Sequence, residues 1–229
     1  YSKSQILEKI ERIKFRGPDN KGFKKINDIS IAHLRLSIID LDIRSNQPFE
    51  YNGYYLSYNG EIYNYKEVRK KLIDLGYSFD TLSDTEVLIK AYDYWGSNMV
   101  IELNGMFAFA IYDSTKEIIF CARDRLGVKP FYYKFNNGKF EISSQIAPLK
   151  NNSLTINKIA ISAYLKTGYI PSPLSIYNEI NKLSPGCYMI IDLKTNKISI
   201  KKYWDLTKIN QVKISYDEAL NELEKLIDD

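Results

Sequence analysis

Histidine is almost absent from this chain, whose 229 residues include a single one, His33. A serine or cysteine nucleophile activated by imidazole, or a zinc site of several imidazoles, would have to be built around that one ring. Nucleophilic chemistry here calls for another base, and an N-terminal α-amine, with a reference pKa of ~7.7–8.0, is one such base. Cysteine is nearly as scarce. Cys121 and Cys187 are too few for a disulfide framework and lack metal-site spacing, so both are expected reduced and buried in strands, and no metal site is expected. No apolar run is long enough to span a bilayer, and Tyr1-Ser2-Lys3-Ser4 does not open a secretory leader. A membrane is therefore not an expected partner, and the cytoplasm is the default location. The formal charge of +4 comes from interspersed Lys and Asp/Glu, which leaves no footprint for nucleic acid. A phosphate-cradling glycine loop is also missing.

What is present suits one sizeable core: 45% of residues are hydrophobic and 14% aromatic. Ile6, Leu7, Ile10 and Ile13 recur at helical spacing, whereas Ile29, Ile31, Leu34, Leu36 and Ile38 suggest extended structure. A helix with Val68, Leu72 and Leu75 on one face stops at Gly76. Ser83-Asp84-Thr85-Glu86 fits a capping box and places Asp84 at a helix start. Strands are expected over Met106 to Tyr112, Glu117 to Ala122, Phe131 to Phe135, Lys139 to Ser143, Tyr188 to Leu193 and Ile198 to Tyr203. The run Phe107-Ala108-Phe109-Ala110-Ile111 is apolar on both sides of the pleat, so its sheet is expected to be covered on both faces. Asn136-Asn137-Gly138 reads as a turn, Asn157 to Lys166 as a helix ended by Gly168, and Ser215-Tyr216-Asp217-Glu218 as the cap of a final amphipathic helix.

The densest signal is Tyr58-Asn59-Gly60-Glu61-Ile62-Tyr63-Asn64-Tyr65. Tyr54 to Tyr58 has strand character, and Asn59-Gly60 can supply the positive φ of a sharp reversal, so the segment reads as a recognition elbow. The polar residues at element ends, Arg35, Asn59, Glu61 and Asp84, could together bind an amino acid. Arg35 offers a planar fork for an α-carboxylate, and Glu61 and Asp84 could hold an α-ammonium. The Asn59 side chain and the Gly60 N–H could face a developing oxyanion. The plain structural alternatives are an ordinary Asn-Gly hairpin and surface pairing of Arg35 with Asp40 or Glu61.

Seven ordered segments resemble one family. They are Arg16-Gly17-Pro18-Asp19, His33 to Asp40, Gln47-Pro48, Asn59 to Tyr65, Ser83 to Val87, Leu103 to Phe109 and Arg123 to Pro130. Together they are similar to the class II glutamine amidotransferase domain of glutamine-hydrolysing asparagine synthetases, with weaker similarity through Leu183 to Gly186 and Tyr203 to Leu206. The resemblance implies an α+β fold, a four-layer αββα sandwich of the N-terminal-nucleophile hydrolase type. It implies that Asn59 and Gly60 form the oxyanion hole, and that Arg35 with Leu36, Ser37, Ile38 and Ile39 holds the carboxylate end of L-glutamine. Glu61 and Asp84 would hold its ammonium, while Arg123-Asp124-Arg125 and Lys129-Pro130 would shape the core and the route toward a synthetase domain. Residues 1–205 would be the amidotransferase domain, and 206–229 a linker and the first helix of a truncated synthetase domain.

The departures matter equally. The family's nucleophile is a cysteine at the mature N-terminus, but this chain starts with Tyr1 in the helix expected after the nucleophile strand, so the first strand is expected to be missing and this chain inactive. Phe15 stands where the family has histidine. The expected activity is hydrolysis of glutamine to glutamate, with ammonia passed to an ATP-activated carboxylate such as aspartate. ATP and Mg2+ would serve the synthetase half, with no cofactor in this chain. The partners would be L-glutamine and the chain's own synthetase domain, a homodimer staying open. Two alternatives are a glutamine-binding scaffold that has lost its nucleophile, and an amidotransferase acting on a sugar acid in polysaccharide synthesis.

Overall fold

The computed structural model describes residues 1–136, 138–209 and 211–228, so Asn137 of the Asn136-Asn137-Gly138 turn lies outside the described residues. The chain opens with α1 (Lys3–Glu11), whose cap pairs Ser2 with Gln5, followed by the hairpin β1 (Asn20–Ile26) and β2 (Ile29–Arg35). Next come β3 (Phe49–Tyr51), β4 (Tyr54–Ile62), α2 (Tyr65–Asp74), α3 (Asp84–Trp95) and the single turn α4 (Met99–Glu102). The second half holds β5 (Gly105–Asp113), β6 (Ile118–Arg123), β7 (Tyr132–Asn136), β8 (Lys139–Ser143), α5 (Lys158–Thr167), β9 (Asn181–Lys182), β10 (Cys187–Asp192), β11 (Lys197–Lys202) and α6 (Tyr216–Asp228).

Six antiparallel strands form the main sheet, in the order β11-β10-β6-β5-β4-β3. Its central strands are apolar on both faces because each face has its own core. Phe107, Phe109 and Ile111 of β5 join Phe120 of β6 against Val68, Leu72, Val87 and Leu88 of α2 and α3. Ala108 and Tyr112, with Cys121 and Met189, pack on the opposite side against Ile29, Ile31, Phe131 and Phe140. Period-two alternation thus divides one strand between two cores. Outside the second core lie the β1–β2 hairpin and the three-stranded sheet β8-β7-β9, and α1 packs against β2. Helices, sheet, sheet and helix make the four layers of the αββα sandwich.

Both cysteines are free and buried, Cys121 in β6 and Cys187 in β10. Gly76 and Gly168 close α2 and α5 with φ of +95° and +79°. Among the described residues no helix is long and apolar enough to cross a membrane. Every described residue of α6 is exposed, including Leu220, Leu223 and Leu226.

Candidate active site

The expected reversal at Asn59-Gly60 is not a turn. β4 runs straight through both residues to Ile62, pairing Asn59 with Ala108 and Gly60 with Phe107. The strand continues because β5 comes close: a Cβ at Gly60 would stand 2.2 Å from the Met106 carbonyl oxygen. The hairpin turn lies at Asn52-Gly53, with φ of +48° and +79°, between β3 and β4. An uninterrupted β4 has a chemical consequence. Leu56, Tyr58 and Ile62 are buried toward the helices, so the alternate positions Ser57, Asn59 and Glu61 face the gap between the sheets.

That gap holds a cavity of about 480 Å³. Its floor is β4 and β5, where the small side chains Ala108 and Ala110 leave room, and its other walls come from α1, β2 and β8. The outer layer is split at this place. Among the described residues β2 pairs only with β1, and β8 only with β7, so the cavity lies between two strand edges.

Asn59 Nδ2 is buried at the cavity and has no hydrogen-bond partner among the described residues. An amide donor in that condition costs roughly 1–3 kcal/mol. Asp84, in the first turn of α3 beneath the Ser83 cap, is 5% exposed. Its Oδ2 accepts the Tyr58 hydroxyl at 2.8 Å and the Ile62 amide at 3.1 Å. Burial raises its pKa, and the charge of Glu61 adds to the rise, while the Tyr58 and Ile62 bonds oppose it. Glu61 and Asp84 thus bring two carboxyl groups to the lining of the cavity that also holds the unpartnered amide donor. The capping box expected at Ser83 is only half formed. Ser83 Oγ accepts the Thr85 amide, but Glu86 turns away to accept from the Asp80 and Thr81 amides and from Lys90.

Arg35 also lines the cavity, from the end of β2. It forms no surface ion pair with Asp40 or Glu61. Its Nη1 donates to the Asp42 carbonyl at 3.0 Å and to Asn46 Oδ1 at 2.8 Å, and its Nη2 donates to the carbonyls of Ile39 and Asp40. The guanidinium thus anchors the loop 36–46 from within. In that loop the Ser37 amide donates to Asp19 Oδ2 at 2.7 Å; Leu36 and Ile38 are exposed, and Ile39 borders the cavity. His33, two residues before Arg35 on the same strand face, approaches Ser57 Oγ through Nδ1 at 3.2 Å. Burial, with the Arg35 charge, pushes the imidazole down to about 4. Sequence reasoning missed Ser57 and Tyr58 as partners of the site and offered Asp40 only as a surface ion-pair partner of Arg35. The two-residue step from Ser57 to Asn59 and the place of Asp40 after β2 were the available signals.

The structure brings Arg35, Asn59, Gly60, Glu61 and Asp84 to one cavity between two sheets. The sequence profile of the glutamine amidotransferase domain matches residues 1–204. The chain belongs to the glutamine amidotransferase family. A putative glutamine-hydrolysing asparagine synthetase 2 of Methanocaldococcus jannaschii is 39% identical over 90% of this chain and 45% of its own length. Asparagine synthetase 1 of Bacillus subtilis is 32% identical over 97% of the chain and 34% of its own length. The amidase chyE of Penicillium rubens is 30% identical over 95% and 32%. The chain thus spans less than half the length of these curated relatives. Among solved structures, the glutamine phosphoribosylpyrophosphate amidotransferase of B. subtilis, complexed with ADP and GMP, superposes with a TM-score of 0.54 at 21% identity. It covers 76% of this chain and 35% of that one, and it supports the αββα fold.

Both cysteines of this amidotransferase domain are buried. Cys121 is wholly buried in the inter-sheet core, and burial drives its thiol pKa far up, against formation of the thiolate. Arg123 and Asp124 form a buried brace. Arg123 donates to the carbonyls of Lys129, Gly127 and Leu183, and Asp124 accepts the amides of Phe107, Leu126, Val128 and Lys129. Because Phe107 is the ladder partner of Gly60, the brace supports the strand behind the candidate oxyanion site. Phe15 is 72% exposed.

Proposed function

We propose that this chain is the glutaminase half of an asparagine synthetase-type amidotransferase. The observation that carries the proposal is the buried, unpartnered Nδ2 of Asn59 at the inter-sheet cavity. A buried donor without a protein acceptor is preorganised for charge that appears only during reaction. Glutamine would lie with its ammonium at Glu61 and Asp84. Its carboxylate would reach Arg35 and the backbone of 36–39, exchanging for carbonyl oxygens that the guanidinium now holds.

The nucleophile would sit on an extended segment lying between the edges that β2 and β8 leave unpaired among the described residues. A cysteine thiolate there would attack the side-chain amide carbon, and its own α-amine would take and return the proton. Asn59 Nδ2 and the Gly60 N–H would hold the tetrahedral oxyanion. The C–N bond would break with protonation of the leaving nitrogen, releasing ammonia and a thioester that water converts to glutamate. The relatives named asparagine synthetase support aspartate as acceptor, activated by ATP and Mg2+ in a C-terminal synthetase half to which no residue here is assigned. Residues 1–205 would form the amidotransferase domain and 206–229 the passage to that half.

In a protein that carries the cysteine segment, Asn59→Ala should lower glutaminase turnover by about 10²–10³-fold with KM little changed. Unaltered turnover would remove Asn59 from the oxyanion hole.

A further inference from the structure

Two loops frame the mouth of the cavity. Residues 36–46 follow β2 and are anchored by Arg35; residues 78–83 lead into α3 and end one residue before Asp84. In the proposed site the first loop belongs to the carboxylate end of glutamine and the second to the ammonium end. Side chains of the first loop reach across to the second. Asp40 Oδ2 accepts the Leu82 amide at 2.8 Å and the Ser45 hydroxyl at 2.9 Å, while Oδ1 accepts the Asp42 amide at 3.1 Å. Arg44 Nη1 donates to the Asp80 carbonyl at 2.7 Å.

Asp40 is the node of this arrangement. Its backbone carbonyl is an acceptor for Arg35, and its φ of +53° lies in the left-handed region that few residues other than glycine adopt. One residue therefore contacts the guanidinium of one wall through its main chain and the backbone that precedes Asp84 through its carboxylate. If the walls moved independently, a ligand would have to order each of them, and that entropy would oppose binding. Joined, they are ordered together before the ligand arrives.

We propose that Asp40 is a positioning residue that couples the carboxylate-binding and ammonium-binding walls of the glutamine pocket. The inference rests on the proposed function, with glutamine as the ligand. Asp40 acts through Arg35 and the Leu82 amide and touches no substrate atom itself.

The test is an NMR titration of the full chain with three ligands: L-glutamine, 4-carbamoylbutanoate, which lacks the ammonium, and 4-aminobutanamide, which lacks the carboxylate. Asp40→Ala should weaken glutamine about tenfold or more, the size expected for losing hydrogen bonds to a charged group. Each single-ended ligand, which engages one wall, should weaken by less than about threefold. Asp40→Asn, which keeps one acceptor, should recover part of the loss. Equal weakening of all three ligands would assign Asp40 a general structural role and overturn the coupling. Should Asp40→Ala fail to fold, Ser45→Ala removes one of the three bonds and is read by the same ratios. Asp84→Asn separates the two levels of inference. If the wild-type chain takes up no glutamine, the site assignment and the coupling fall together. If it binds, Asp84→Asn abolishes binding and Asp40→Ala leaves the three ratios unchanged, the coupling alone falls.

Discussion

Tyr58 donates its hydroxyl to Asp84 Oδ2 at 2.8 Å, joining the strand that carries Asn59 to the helix start that carries the carboxylate. Asp84 is buried, and its folded pKa is raised, first by burial and further by Glu61. A raised carboxylate pKa contributes stability that is present at low pH and lost as pH rises through the folded value. At neutral pH the ionised Asp84 therefore opposes folding. Asp84→Asn should leave the Tm unchanged or raise it by about 2–4 °C, the shift that about 1 kcal/mol gives in a domain of this size, while glutamine affinity falls at least about tenfold. Tyr58→Phe removes a bond that favours the anion, so the acid limb of glutamine binding should move to higher pH. Calorimetric binding from pH 4 to 8 reads it, and an unmoved limb would separate Tyr58 from the charge of Asp84.

Gly60 sits on β4 directly against the β5 backbone. Its Cβ would meet the Met106 oxygen at 2.2 Å and Phe107 Cα at 2.7 Å, and a Cβ on Gly105 would meet the Glu61 oxygen at 2.2 Å. Both obstacles are backbone, so they cannot rotate away. Gly60→Ala should cost about 3 kcal/mol or more, from overpacking added to an unfavourable φ. Gly76→Ala is the control. Its φ is also positive, at +95°, but its Cβ meets nothing within 4 Å, so it should cost only about 1–2 kcal/mol. Urea midpoints compare the two directly, and equal losses would show that φ strain, with no steric contribution from β5, sets the requirement.

Much of this architecture was legible in the residues. Val68, Leu72 and the Gly76 stop, the Ser83 start of α3, and the two-sided apolar run of β5 each express a local rule that packing reinforces. What local rules could not show is where another chain segment comes close. Asn59-Gly60 has the composition of a turn, but the nearness of β5 makes its glycine a strand residue, and Asn52-Gly53 takes the turn instead. Glu86 has the spacing of a capping box, but a buried Lys90 at 2.6 Å and the amides of the 80–81 loop compete for it more effectively. The residue types of the site could be read from sequence. The cavity could not, because it depends on β2 and β8 lying apart in the outer layer, which is a relation between strands far separated in the chain.

His33 provides an internal probe, because the chain has one histidine. Burial, then the Arg35 charge, holds its folded pKa at about 4 against an ordinary 6.5. The unfolded chain therefore takes up a proton near pH 6.5 that the folded chain refuses until about pH 4. Stability should fall across that window as pH drops, by an amount on the order of 3 kcal/mol, and should level off below it. His33→Gln removes the proton uptake, so the difference in stability between variant and wild type should shift in favour of the variant between pH 7 and pH 4. Urea unfolding at several pH values measures that difference, and the ring C2 proton of the lone imidazole reports the pKa directly by NMR. A titration midpoint between 6 and 7 would mean that the ring is open to water, and the inter-sheet contact between His33 and Ser57 would then be absent in solution.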